Sequence, residues 1–159
     1  MEKETKGKYS KEEVKEKFQQ ARSVNRISDT EYDLFCEALC ELSKEIVDSV
    51  EDNVYFAFLS ADPEIKRGAA CFINRDDTDR KHIICLSPLY FVLCPSERNY
   101  EFLERFGIDK QGHESRSFLF HEVAHYWLDH KDVLDQKERS RLDEEANKQV
   151  KKWLAGDFC

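Results

Sequence analysis

No stretch of this chain is apolar for long. The roughly 18 residues that a helix needs to cross a bilayer are never reached, which excludes a membrane-spanning helix. The opening Met1-Glu2-Lys3-Glu4-Thr5-Lys6 has no apolar segment behind it, so no signal peptide is visible and the cytoplasm is the expected compartment. Cysteine is present but unpaired in pattern: Cys36, Cys40, Cys71, Cys85, Cys94 and Cys159 contain no C-x-x-C. Without a secretion signal, free thiols are the default state. Cys36 and Cys40 share a helix face, and Cys71 and Cys85 fall in strand-like runs. They read as small core residues, with a second, thiolate metal site as the alternative.

Basic residues are also in deficit, 25 Lys and Arg against 33 Asp and Glu, a net charge of −8. Phosphate recognition needs a basic patch, so a direct nucleic-acid partner is not expected, and no helix-turn-helix pattern appears. Internal repeats, low-complexity tracts and a linker to a second domain are missing as well. Residues 1–159 are therefore expected to form a single domain, with 1–9 disordered. What remains is 40% hydrophobic and 36% charged, with 11 Phe; this is a folded chain with a charged surface rather than a disordered one.

The periodicity predicts helices, then strands, then helices. Ser10 with Glu13 forms a capping box that opens a helix to about residue 22, and Ser28 with Glu31 forms a second. From there Leu34, Phe35, Ala38, Leu39, Leu42, Ile46 and Val47 recur at helical spacing, predicting one long amphipathic helix to about residue 50. Residues 54–59, 69–73 and 82–86 are β-prone, and the polar link 74–81 suits a hairpin between the last two. The run 90–94 is strand or helical turn. Ser96 caps a helix over about 97–106 that Gly107 stops. Further helices are expected over about 115–130 and 137–154. The fold class is α+β, with N-terminal helices, a small and mostly antiparallel sheet, and two C-terminal helices.

The first of those two helices carries His121-Glu122-Val123-Ala124-His125, an H-E-x-x-H. Residues four apart lie on one helix face, so His121 and His125 can hold one zinc ion. Glu122 is then close enough to accept a proton from zinc-bound water. The neighbours Phe118, Leu119, Phe120, Val123, Ala124, Tyr126, Trp127 and Leu128 are apolar nearly all round, so the helix reads as buried. Two His and a Glu are costly to bury alone, and a metal resolves that cost. Satisfaction by other side chains is the plainer alternative.

A catalytic zinc usually takes three protein ligands and keeps one position open. His130 misses the third-His position of the long metzincin signature by one residue, which Lys131 holds. It reads as a surface His near a helix C-terminus. The final helix offers Asp143-Glu144-Glu145-Ala146-Asn147. Asp143 and Asn147 lie one turn apart, so one can complete the metal shell while the other hydrogen-bonds a ligand His. Ala146 is small enough to let the two helices close up, and Glu144 and Glu145 are expected to point away. An ordinary acidic first half of an amphipathic helix has the same composition.

F-H-E-V-A-H-Y-W-L-D-H followed by D-E-E-A-N-K-Q-V-K-K-W-L resembles the ImmA/IrrE family of small metallopeptidases, whose pattern is H-E-L-G-H-x-L-L-H-H and then E-x-x-A-N-x-F-A-x-x-L-L. The likeness is specific at these two segments and loose elsewhere. It implies a minimal zincin-like (gluzincin-like) fold with one zinc per chain, His121, His125 and Asp143 as metal ligands, and Glu122 as the catalytic residue. The family's third ligand is usually Glu, so Asp143 or Glu144 fills that place. Ala124 stands where Gly is usual, and Gln149-Val150 where Phe-Ala is. The implied activity is hydrolysis of a peptide bond in a protein substrate, such as a repressor-like regulator. Tyr90, Tyr100, His113, Tyr126 and His130 are candidate oxyanion donors, and the strand near residues 83–86 is the expected edge for an extended peptide. The other class of function is an inactive zincin-fold protein that binds a partner through the 34–47 helix or the sheet.

Overall fold

The structure, a computed structural model, describes residues 7–24, 27–58, 70–73, 81–86, 114–131 and 133–158. The described elements are α1 (Lys11–Lys17), α2 (Gln19–Val24), α3 (Asp29–Leu39), α4 (Lys44–Asn53), β1 (Val54–Phe58), β2 (Ala70–Ile73), β3 (His82–Leu86), α5 (Glu114–Trp127) and α6 (Gln136–Leu154). This is an α+β architecture. No helix among the described residues is long and apolar enough to cross a membrane. The expected run at 90–94 and helix at 97–106 lie outside the described residues.

Both capping boxes form. Ser10 and Ser28 each accept from the backbone three residues on, and Glu13 and Glu31 each return a bond to the cap backbone. The helices behind them are shorter than the periodicity predicts. The first breaks at Phe18, which leaves helical geometry and turns its ring inward, edge-on to Phe35 and Phe56 at 5.9 and 5.8 Å. The second breaks between Cys40 and Ser43, the latter being the N-cap of α4. Leu39, Leu42, Ile46 and Val47 are all buried across that break, so a helical stripe continues through a turn that is not helical. The segment expected to be disordered is tied down at its end: Lys44 N–H donates to the Gly7 carbonyl, and the Tyr9 hydroxyl to Asp48.

The sheet has the order β1-β3-β2. β2 and β3 pair antiparallel, as the hairpin link implies, but β1 runs parallel to β3. The sheet is thus mixed rather than mostly antiparallel, because the last strand of the hairpin inserts between the other two. That also corrects the expected peptide-binding edge: β3 is central, with partners on both sides, and its amide groups are engaged. Phe56, Ile84 and Leu86 face one continuous core with Phe35, Leu39, Val50, Leu119, Phe120, Val123 and Trp153. Phe35 meets Phe56 and Phe58 edge-on at 4.9 and 5.2 Å, the favoured aromatic geometry. Cys36 is fully buried in this core, and burial pushes its thiol up to about 12. Among the described residues Cys36, Cys40 and Cys85 are free thiols.

Candidate metal centre

α5 is buried through six consecutive residues, 119–124, so neither side of it faces bulk water there. Leu119, Phe120, Val123 and Ala124 supply the apolar packing that holds the helix in place. His121 and Glu122 are buried with them, each 8% exposed. α6 packs against α5 and buries Leu142, Ala146, Val150 and Trp153, with Trp153 edge-on to Phe120. Ala146 is fully buried at this contact; its small side chain lets the helices close up. α6 starts at Asp135, whose side chain accepts from Lys137 N–H.

Packed this way, the helices bring together His121, His125 and Asp143. His121 Nε2 lies 3.0 Å from His125 Nε2, and Asp143 Oδ1 lies 3.1 Å from His125 Nε2 and 3.5 Å from His121 Nε2. A zinc ion with bonds of about 2.0–2.1 Å spaces tetrahedral ligands about 3.3 Å apart. The triangle therefore has the size of one face of such a coordination shell, and its donors suit a divalent cation. Among the described residues these three form the group able to hold a metal ion. Glu144 is exposed, and Asp143 is the carboxylate that reaches the pair.

The imidazoles are held from behind. His121 Nδ1 lies 2.8 Å from Asn147 Oδ1, which can only accept, so Nδ1 carries the proton and Nε2 presents a lone pair when the ring is neutral. His125 Nδ1 lies 2.8 Å from His130 Nδ1, and His130 Nε2 lies 3.1 Å from Glu145 Oε2. This corrects two expectations. His130 is not a surface residue but is 7% exposed, and Glu145 turns its carboxylate toward it. The reason is local: Asp129 adopts a left-handed φ of 54°. Asp129 N–H then bonds the Tyr126 carbonyl, and His130 N–H the His125 carbonyl. This is the Schellman ending of a helix, and it folds His130 back over His125. The signal was a non-glycine left-handed position, which sequence does not mark.

The two imidazoles and the carboxylate shift one another. Burial pulls His121 down, but its hydrogen bond to Asp143 and the charges of Glu122 and Asp143 outweigh it, and His121 is raised. Burial lowers His125, helped by His121, against the hydrogen bond to Asp143. Burial opposes the Asp143 carboxylate, yet hydrogen bonds from His121 and His125 hold it well below the usual carboxylate range. A divalent cation held by these three groups would favour their unprotonated forms. Burial pushes Glu122 up to about 7, with His121 opposing and Asp143 assisting.

Of the candidate oxyanion donors, Tyr126 is turned away: its hydroxyl lies 2.6 Å from Ser49 Oγ and donates to the Ser49 carbonyl on α4. His130 is engaged as described. Tyr90, Tyr100 and His113 lie outside the described residues. No protein-family model matches the chain, and no curated protein or solved structure is significantly similar to it.

Proposed function

We propose that this chain is a zinc metallopeptidase with a minimal zincin-like site, which hydrolyses a peptide bond in a protein substrate. The observation that carries this reading is the triangle of His121 Nε2, His125 Nε2 and Asp143 Oδ1 beside a buried carboxyl raised to about 7. His121, His125 and Asp143 would hold the ion. When bound, it supplies Lewis acidity toward water and the scissile carbonyl. Glu122 is matched to the rest of the task. A carboxyl with a pKa near neutrality can both take a proton from water and return it to the leaving amine nitrogen. A purely structural zinc needs no such group, and it is usually closed by a fourth protein ligand. The motif likeness to the ImmA/IrrE family supports a regulatory protein, such as a repressor, as the substrate class.

The test pairs Glu122→Gln with the unchanged protein on a mixture of fluorogenic peptides and on unfolded proteins. Glu122→Gln is expected to lose hydrolysis by about a hundredfold or more while keeping its zinc, measured by elemental analysis. Cleavage at the original rate in that variant would remove Glu122 from the base role.

A further inference from the structure

We propose that His130 and Glu145 are positioning residues that hold the His125 imidazole from behind, through its Nδ1, and thereby set the affinity of the metal centre. This rests on the reading of His121, His125 and Asp143 as metal ligands.

The hydrogen-bond chain has a direction, set at its far end. Glu145 is a carboxylate and only accepts. His130 Nε2, 3.1 Å from Glu145 Oε2, must therefore carry a hydrogen. In a neutral imidazole the other nitrogen is then a lone pair, so His130 Nδ1 accepts. Its partner at 2.8 Å is His125 Nδ1, which must donate. A His125 that donates through Nδ1 leaves Nε2, the atom that faces His121 and Asp143, free to ligate a cation; until one is bound, Asp143 Oδ1, 3.1 Å away, competes to hold a proton there. The charge of Glu145, two hydrogen bonds away, thus favours the proton on Nδ1 that leaves Nε2 to ligate, and it makes Nε2 more basic.

Each member of the chain is itself held. The His130 backbone is latched to the His125 carbonyl at 3.0 Å, and the two rings stand 5.0 Å apart, steeply inclined. Arg141, one turn before Glu145 on α6, pairs with Glu145 Oε1. That leaves Oε2 turned toward His130. Arg141 is held in turn by Glu138. His130 does not join the triangle, because its Nδ1 faces the rear nitrogen of His125. The two ligand imidazoles are supported differently: His121 by a neutral amide, His125 by a charged relay.

The experiment measures zinc affinity of the full chain by competition with a chromogenic chelator, alongside the imidazole protons by nitrogen NMR of the zinc-loaded protein. In the zinc-loaded unchanged protein, His125 should carry a proton on Nδ1 and His130 on Nε2. His130→Phe and Glu145→Ala should weaken zinc binding by about 10–100-fold. Glu145→Gln still offers an accepting oxygen and should fall between Glu145→Ala and the unchanged protein. Glu144→Ala, one residue away and exposed, should bind as the unchanged protein does. If His130→Phe does not fold, the two Glu145 variants carry the test, since that side chain is 41% exposed. Unchanged affinity in Glu145→Ala, or a proton on His130 Nδ1 rather than Nε2, overturns the relay and leaves the metal centre standing. No zinc bound by the unchanged protein overturns both.

Discussion

Glu122 is a carboxyl whose chemistry is set by where the helix puts it. Buried between apolar neighbours and one residue from His121, it rises from 4.5 to about 7. The folded protein therefore holds this proton more tightly than the unfolded chain does. Below about 4.5 both states are protonated and nothing is lost. As pH rises through the window up to about 7, the unfolded chain releases its proton first and gains on the folded one. The shift corresponds to roughly 3 kcal/mol of stability lost across the window in the metal-free protein. Glu122→Gln carries no titrating group and should not show this loss. Urea unfolding of both metal-free proteins between those limits reads the difference directly. Parallel pH profiles would mean that Glu122 is better solvated than its burial indicates.

At the level of the element, the ending of α5 matters as much as its motif. Asp129, at φ 54°, sits where glycine is normally favoured; Gly156, at φ 81°, ends α6 with the same pair of bonds. Asp129→Gly should fold with unchanged or slightly greater stability and keep zinc affinity. Asp129→Val, β-branched at a left-handed position, should lose about 1–2 kcal/mol and bind zinc more weakly, because His130 leaves its place behind His125. Urea midpoints and chelator competition on the two variants separate the outcomes. Equal behaviour would show that the turn does not position His130. The same turn marks where sequence stops being informative. His121 and His125, and the third position to within Asp143 or Glu144, could be chosen because fixed helical spacing and residue chemistry carry the information. His130 could not, since its place depends on a backbone conformation that Asp adopts only sometimes. The helix breaks at Phe18 and Cys40–Ser43 were hidden similarly, because buried residues on both sides preserve the apolar spacing through a turn. The position of β3 between β1 and β2 depends on pairing between distant segments, which alternation within a strand does not encode.

On the scale of the whole molecule, the centre is tied to one core. Val14 and Phe18 near the N-terminus, Phe35 on α3, Phe56 on β1, Ile84 on β3, Phe120 on α5 and Trp153 on α6 belong to a single buried cluster. No separate core supports α5 and α6 among the described residues, so opening the metal helices exposes apolar surface that the rest of the protein needs covered. Such a unit unfolds together. A ligand that binds only the folded state then raises the stability of every part by the same amount, about 4 kcal/mol when free zinc stands a thousandfold above its dissociation constant. Trp127 and Trp153, the two tryptophans of the chain, sit on α5 and α6 and report on the metal helices by fluorescence. Far-ultraviolet circular dichroism reports on all the helices. With zinc added, both urea transitions should move to higher denaturant and stay superimposed, and a chelator should return both. A shift confined to tryptophan fluorescence would mean that α5 and α6 fold as a separate unit, with the metal stabilising that pair alone.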